Sequence, residues 1–148
     1  MRSLFCCTLK NDEGVTAIEF AIISPVLILL MTGVFQFGIA MNQYLNLTNA
    51  VAQGALSLAL SRGAATSYSA VTAAINSAAP NLVPGQITIT VSINGATCTD
   101  DATCSPKLVA GQPAVVTATY PCNLTIMGVN YAPGGTCSLR AQTSQMIQ

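Results

Sequence analysis

The chain has no histidine and no tryptophan, and of its 148 residues only five are Lys or Arg and five Asp or Glu. Without histidine it lacks the usual general base and the commonest metal ligand, which removes most nucleophile–base pairs at once. Carboxylates alone are left for acid–base chemistry, and one of the five, Glu19, lies inside a hydrophobic run. An enzyme is therefore not expected, and neither is a cofactor. Charged residues make up 7% of the chain, where a soluble domain carries roughly a quarter. That deficit points to a membrane or an assembly. The few basic residues are not clustered, so the neutralisation of a phosphate backbone that nucleic-acid binding requires is excluded.

What the chain does have is one long apolar run. Across residues 15–41 the only charge is Glu19, and the core of the run extends from Phe20 to Phe37. A hydrocarbon layer of about 30 Å needs roughly 20 helical residues, so this stretch can span it. It is longer than the roughly 7–15 residues of a signal-peptide core and flows into further helical sequence without a convincing small-x-small cleavage site, so it reads as an anchor. Arg2 and Lys10 precede it and no Lys or Arg follows until Arg62. The positive-inside rule then places the N-terminus in the cytoplasm and the bulk of the chain on the far side of a bacterial inner membrane. Pro25 removes one helical hydrogen bond and crowds the preceding turn, which predicts a kink or a locally melted turn near Ala21 to Pro25.

Beyond the run, Tyr44, Leu47, Val51, Ala55 and Leu58 recur at helical spacing, with Asn42, Gln43, Asn46, Asn49 and Gln53 on the polar side. Residues 15–61 read as one helix of roughly 70 Å, closed by Arg62 in its last turn and Gly63 beyond. Residues 67–78 read as a short second helix capped by Ser67, with Val71, Ala74, Ile75 and Ala78 on one face. Residues 86–93 alternate Ile87, Ile89, Val91 and Ile93 with Thr and Ser, the pattern of a half-buried strand. Residues 114–120 and 138–145 give two further strands, and residues 94–113 join the first pair. The expected division is a leader at 1–14, a membrane span at 15–41, its extramembrane continuation at 42–62 and a small domain at 63–148. The expected fold class is α+β, a long N-terminal transmembrane helix extending into a periplasmic domain with a short helix and about three or four antiparallel strands.

Cys6 and Cys7 lie before the apolar run, whereas Cys98, Cys104, Cys122 and Cys137 lie after it. Four cysteines in a small exported domain suggest two disulfides. Zinc is the rival, but five residues separate Cys98 from Cys104 and fourteen separate Cys122 from Cys137, without the short knuckles of structural zinc sites. Of the three possible pairings, Cys98–Cys104 closes a small ring within one loop, and Cys122–Cys137 joins the end of one strand to the start of the next. Loss of the second bridge is expected to cost more, because the first cross-links little of the chain. Asp100 and Asp101 offer too few oxygens for the 6–8 that calcium takes, so a polar loop is preferred to a calcium site. The glycosylation-like triplets at Asn46 and Asn123 are read as chance.

The start of the run carries a more specific pattern. A short polar leader ends in Gly14, four residues follow from Val15 to Ile18, and Glu19-Phe20 opens the apolar core. Glu19 read alone could be a residue at the membrane surface. In this setting the pattern resembles the class III prepilin processing motif, in its Glu-Phe/Tyr variety. Together with Ser24-Pro25, Gly33, Gln36, Gly38, Asn42-Gln43-Tyr44 and Gln53-Gly54-Ala55, the region from Gly14 to Ala59 resembles the TadE-like minor pseudopilins of the tight-adherence (Flp-type) pilus system. The resemblance implies a pilin-like fold and cleavage after Gly14, making Val15 the new N-terminus and Glu19 its fifth residue. Implied partners are a prepilin peptidase, a second pseudopilin, the major pilin and the inner-membrane assembly platform. Members of that family often carry arginines where this chain has Ala40 and Leu56, so no role for those arginines carries over. The alternative is an uncleaved signal-anchored protein with a periplasmic binding domain.

Overall fold

A computed structural model describes residues 12–122, 124–126, 128–130 and 135–148. Arg2, Cys6, Cys7, Lys10 and Asn123, and with them most of the expected leader, lie outside the described residues. The chain divides into two compact units, Met1–Phe35 and Gln36–Gln148.

Helix α1, Asp12–Leu60, runs through both. It begins three residues before the expected start, and its first two residues, Asp12 and Glu13, are acidic, the sign of charge that a helix N-terminus favours. Pro25 lies inside α1, and the helix is unbroken past it, so the expected melted turn is absent. The neighbouring turns are sufficient to carry the backbone across the one hydrogen bond that proline cannot make. In the first unit the apolar side chains of α1 lie open: Ile18, Phe20, Ile22, Val26, Val34 and Phe35 are all exposed.

In the second unit α1 turns a buried face to the domain. Leu47, Ala50, Val51, Ala55 and Leu58 are sealed from solvent, while Tyr44, expected on the same stripe, stays 39% exposed. Helix α2, Ser67–Ala78, packs against α1 through Val71 and Ile75. Gly54 permits the approach, since a Cβ placed there would sit 2.5 Å from Ile75 Cγ1. Each fully buried Leu, Ile or Val adds about 1.5–3 kcal/mol of transfer free energy, so this two-helix seam accounts for much of the domain's hydrophobic stabilisation.

The sheet is antiparallel, with strand order β2-β1-β3-β6. The strands are β1 (Thr88–Ile93), β2 (Ala96–Cys98), β3 (Pro113–Cys122) and β6 (Cys137–Met146). A separate short pair, β4 (Thr125–Ile126) and β5 (Val129–Asn130), lies between β3 and β6 in sequence. Strand β1 starts two residues later than expected, because Pro84–Gln86 form a 3-10 turn. Strand β2 was not expected at all. It arises from a tight turn at Asn94 and Gly95, both with positive φ (49° and 79°), which folds the chain back as a hairpin. Strands β3 and β6 pair from Pro113↔Met146 to Cys122↔Cys137. Val91, Ile93, Ala114, Val116, Ala118, Tyr120 and Ala141 join the buried residues of α1 and α2 in one core.

Candidate functional site

The sequence motif and the folded domain supply two separate sets of residues. Gly14 and Val15 fall in the first turn of α1, so the expected cleavage bond lies within the helix. Glu19 and Phe20 follow one turn later on exposed helix surface, Phe20 at 68%. Among the described residues the Glu19 carboxylate makes no ion pair or hydrogen bond. The cations Arg62, Lys107 and Arg140 all belong to the second unit. Polar residues farther along α1 satisfy themselves locally. Thr32 Oγ1 donates to the Ile28 carbonyl at 2.6 Å, Thr48 Oγ1 to that of Tyr44 at 2.8 Å, and Asn46 Nδ2 to Asn42 Oδ1 at 2.7 Å. The stretch of α1 from Thr16 onward is long and apolar enough to cross a membrane. Leu56, at a position where the resembling proteins often place an arginine, is 47% exposed.

In the domain the structure gives the two aspartates definite work. Helix α3, Asp101–Cys104, is closed by a capping box in which Asp100 Oδ1 accepts from Thr103 N at 2.7 Å and the Thr103 hydroxyl reaches back to the Asp100 backbone. Asp101 Oδ1 accepts from the backbone N–H groups of Tyr68 at 2.7 Å and Ser69 at 2.9 Å, the open first turn of α2. The expected cap, Ser67, does not serve: Thr66 is the N-cap residue, without a side-chain bond, and Ser67 is buried with its hydroxyl 3.1 Å from that of Ser105. A distant carboxylate has replaced the local hydroxyl because the α3 turn packs directly on the start of α2. The Thr103 hydroxyl and backbone hold the Asp100 carboxyl below its ordinary range, and the Ser69 backbone N–H does the same for Asp101. Among the described residues no group of three or more His, Cys, Asp or Glu side chains is placed to hold a metal ion.

The cysteine pairs at disulfide distance are Cys98 with Cys104 and Cys122 with Cys137. Cys98 and Cys104 are both core residues, 2% and 0% exposed, and their ring carries Asp100, Asp101 and Thr103. Short as it is, this ring fastens β2 to the turn that caps α2. The Cys122–Cys137 bridge closes the last rung of the β3–β6 pair, at half-buried positions.

These features define a chain with one membrane-anchoring type of helix leading into a small α+β domain with two cysteine bridges. Residues 14–56, the helix from the glycine through the Gly54-Ala55 pair, match the family model of TadE-like proteins. No curated protein and no solved structure matches it.

Proposed function

We propose that the chain is a minor pseudopilin in biogenesis of a tight-adherence pilus, and that it works by helix packing and protein contacts rather than by catalysis. A prepilin peptidase cuts between Gly14 and Val15. Helix α1 then holds the protein in the inner membrane, with its start at the cytoplasmic side and the domain in the periplasm. The carrying observation is the Gly14 to Glu19-Phe20 spacing at the head of a helix whose apolar side chains are exposed and whose carboxylate has no partner among the described residues. After cleavage Val15 bears a positive amine beside this helix. A neighbouring subunit's Glu19 can pair with that amine, which offsets much of what each charge costs alone in low dielectric and so favours register and assembly. The partners are the peptidase, a second pseudopilin, the pilin and the assembly platform. A non-catalytic role is supported by the missing histidine and by the engagement of Asp100 and Asp101 as helix caps.

Mass spectrometry of the membrane-embedded protein tests this. The mature chain should begin at Val15, lacking the first fourteen residues and with them Cys6 and Cys7. A chain beginning at Met1 or Arg2 would instead be an uncleaved anchored protein with a periplasmic binding domain.

A further inference from the structure

The two edges of the four-stranded sheet differ in what they leave open. At one edge β2 is only three residues long, and Lys107 Nζ donates to the carbonyl of its middle residue, Thr97, at 3.1 Å. At the other edge β6 runs ten residues, paired to β3 without a bulge. Among the described residues no backbone group of 138–146 bonds to anything but β3. Natural sheets protect a long edge with proline, charge or a bulge. From Ser138 to Met146 there is no proline, no bulge and a single charge, Arg140.

Two hydrogen bonds fix which backbone groups of β6 point outward. Asn94 N donates to the Pro113 carbonyl at 2.9 Å, so Pro113 turns its backbone toward β1. By strand alternation Ala114, Val116 and Ala118 turn theirs toward β6, where their partners are Gln145, Thr143 and Ala141. Ile147 N, donating to the Gln112 carbonyl at 3.0 Å, keeps the same phase just beyond the strand. The N–H and C=O groups of Ser138, Arg140, Gln142, Ser144 and Met146 therefore face away from the sheet. All five residues are exposed.

We propose that this edge is a docking site for an extended segment of a partner protein, which adds an antiparallel strand beside β6 and places a carboxylate opposite Arg140. In such an addition the main-chain bonds supply affinity and the side chains opposite each other supply choice. Charge selects this occupant over a second copy of the chain. Matching outward groups would set Ser138, Arg140, Gln142, Ser144 or Met146 of the copy opposite Arg140, and none of these is acidic. Within the chain the Arg140 guanidinium reaches only Gln142 Oε1, at 3.5 Å, so among the described residues it has no carboxylate of its own. The site needs neither cleavage at Gly14 nor pairing of Glu19, and it holds for a processed or an unprocessed chain.

Residue-resolved amide exchange on the full-length protein in micelles tests this, with two nine-residue peptides of alternating Thr and Val as probes, one carrying Glu and the other Lys at its centre. Without peptide the amides of Ser138, Arg140, Gln142, Ser144 and Met146 should exchange fast, and those of Leu139, Ala141 and Thr143 slowly. The Glu peptide should slow the outward set and bind roughly threefold or more tightly than the Lys peptide, and Arg140→Glu should reverse that preference. Gln142→Pro removes an outward N–H that the fold does not use, so it should weaken binding several-fold while the inward amides stay protected. Outward amides that slow with rising protein concentration and no peptide would assign the edge to a second copy and overturn the proposal. Equal binding of the two peptides, or binding of neither, would overturn it as well.

Discussion

Asp101 shows how one side chain can join two elements. Its carboxylate accepts the N–H of Tyr68, thirty-three residues earlier, and that of Ser69, giving α2 the cap that its own sequence does not supply. Because hydrogen bonds hold both aspartates below their ordinary pKa, the folded state binds their protons more weakly than the unfolded chain, where the value is about 3.9. Their contribution to stability is therefore complete above that value and is lost as pH falls through the lowered folded values. Thermal melts followed by circular dichroism should show an acid limb below about pH 4 that is flatter in Asp101→Asn, along with a lower midpoint near neutrality. An unchanged acid limb would mean that the cap does not contribute. Gly54 is the other residue with a sharp expectation. Alanine there gains roughly 1 kcal/mol of helix propensity but drives a Cβ into Ile75, at a cost of about 1–3 kcal/mol. Gly54→Ala should be destabilising by up to about 2 kcal/mol, and Ile75→Ala should make the same change less harmful in a double-mutant cycle.

At the scale of elements, α1 carries a different surface in each unit: exposed apolar side chains in the first and a sealed seam with α2 and the sheet in the second. Glu19→Ala should leave insertion intact or better while reducing co-purification with other pilus subunits, because the carboxylate is unfavourable in lipid until an amine pairs with it. Pull-down from solubilised membranes measures this, and undiminished co-purification would make Glu19 a surface residue. The two bridges give a second contrast. Chain entropy alone favours the larger ring only slightly, about 3.1 kcal/mol for a sixteen-residue loop against about 2.4 kcal/mol for a seven-residue one. Cys98 and Cys104 also lie in the core and hold the Asp101 turn. Replacing that pair with alanine should therefore lower the melting midpoint at least as much as replacing Cys122 and Cys137. A clearly smaller loss would return the small ring to the status of a local loop tie.

For the whole molecule, the proposed topology is a single crossing with the domain outside the cytoplasm, a reading supported by cations before the apolar run and none from there to Arg62. Protease added to spheroplasts should digest the domain, and alkaline extraction should leave the remaining anchor in the membrane. Protection of the domain in intact spheroplasts would reverse the topology. The scarcity of charge fits the same picture, since a chain enclosed by lipid and neighbouring subunits has less use for solvating charges than a free soluble domain.

Much of this was legible in the residues themselves, for a physical reason. Apolar runs, helical spacing and strict alternation are local properties, so α1, α2, β1, β3 and β6 could be placed from neighbours a few positions apart. The match to the TadE-like family falls on the same local pattern, the glycine, the Glu-Phe pair and the helix that follows. Strand β2 was also locally encoded, by Asn94-Gly95, a hairpin signal that a reading of residues 94–113 as one connection passes over. What the sequence could not determine was contact between distant segments. The buried place of Ser67, the capping of α2 by Asp101 and the tight seat of Gly54 on Ile75 each depend on how separate elements of the second unit pack together. Hydrogen bonds and packing contacts reach only a few ångströms, so residues far apart in the chain acquire these roles only once tertiary folding brings them together.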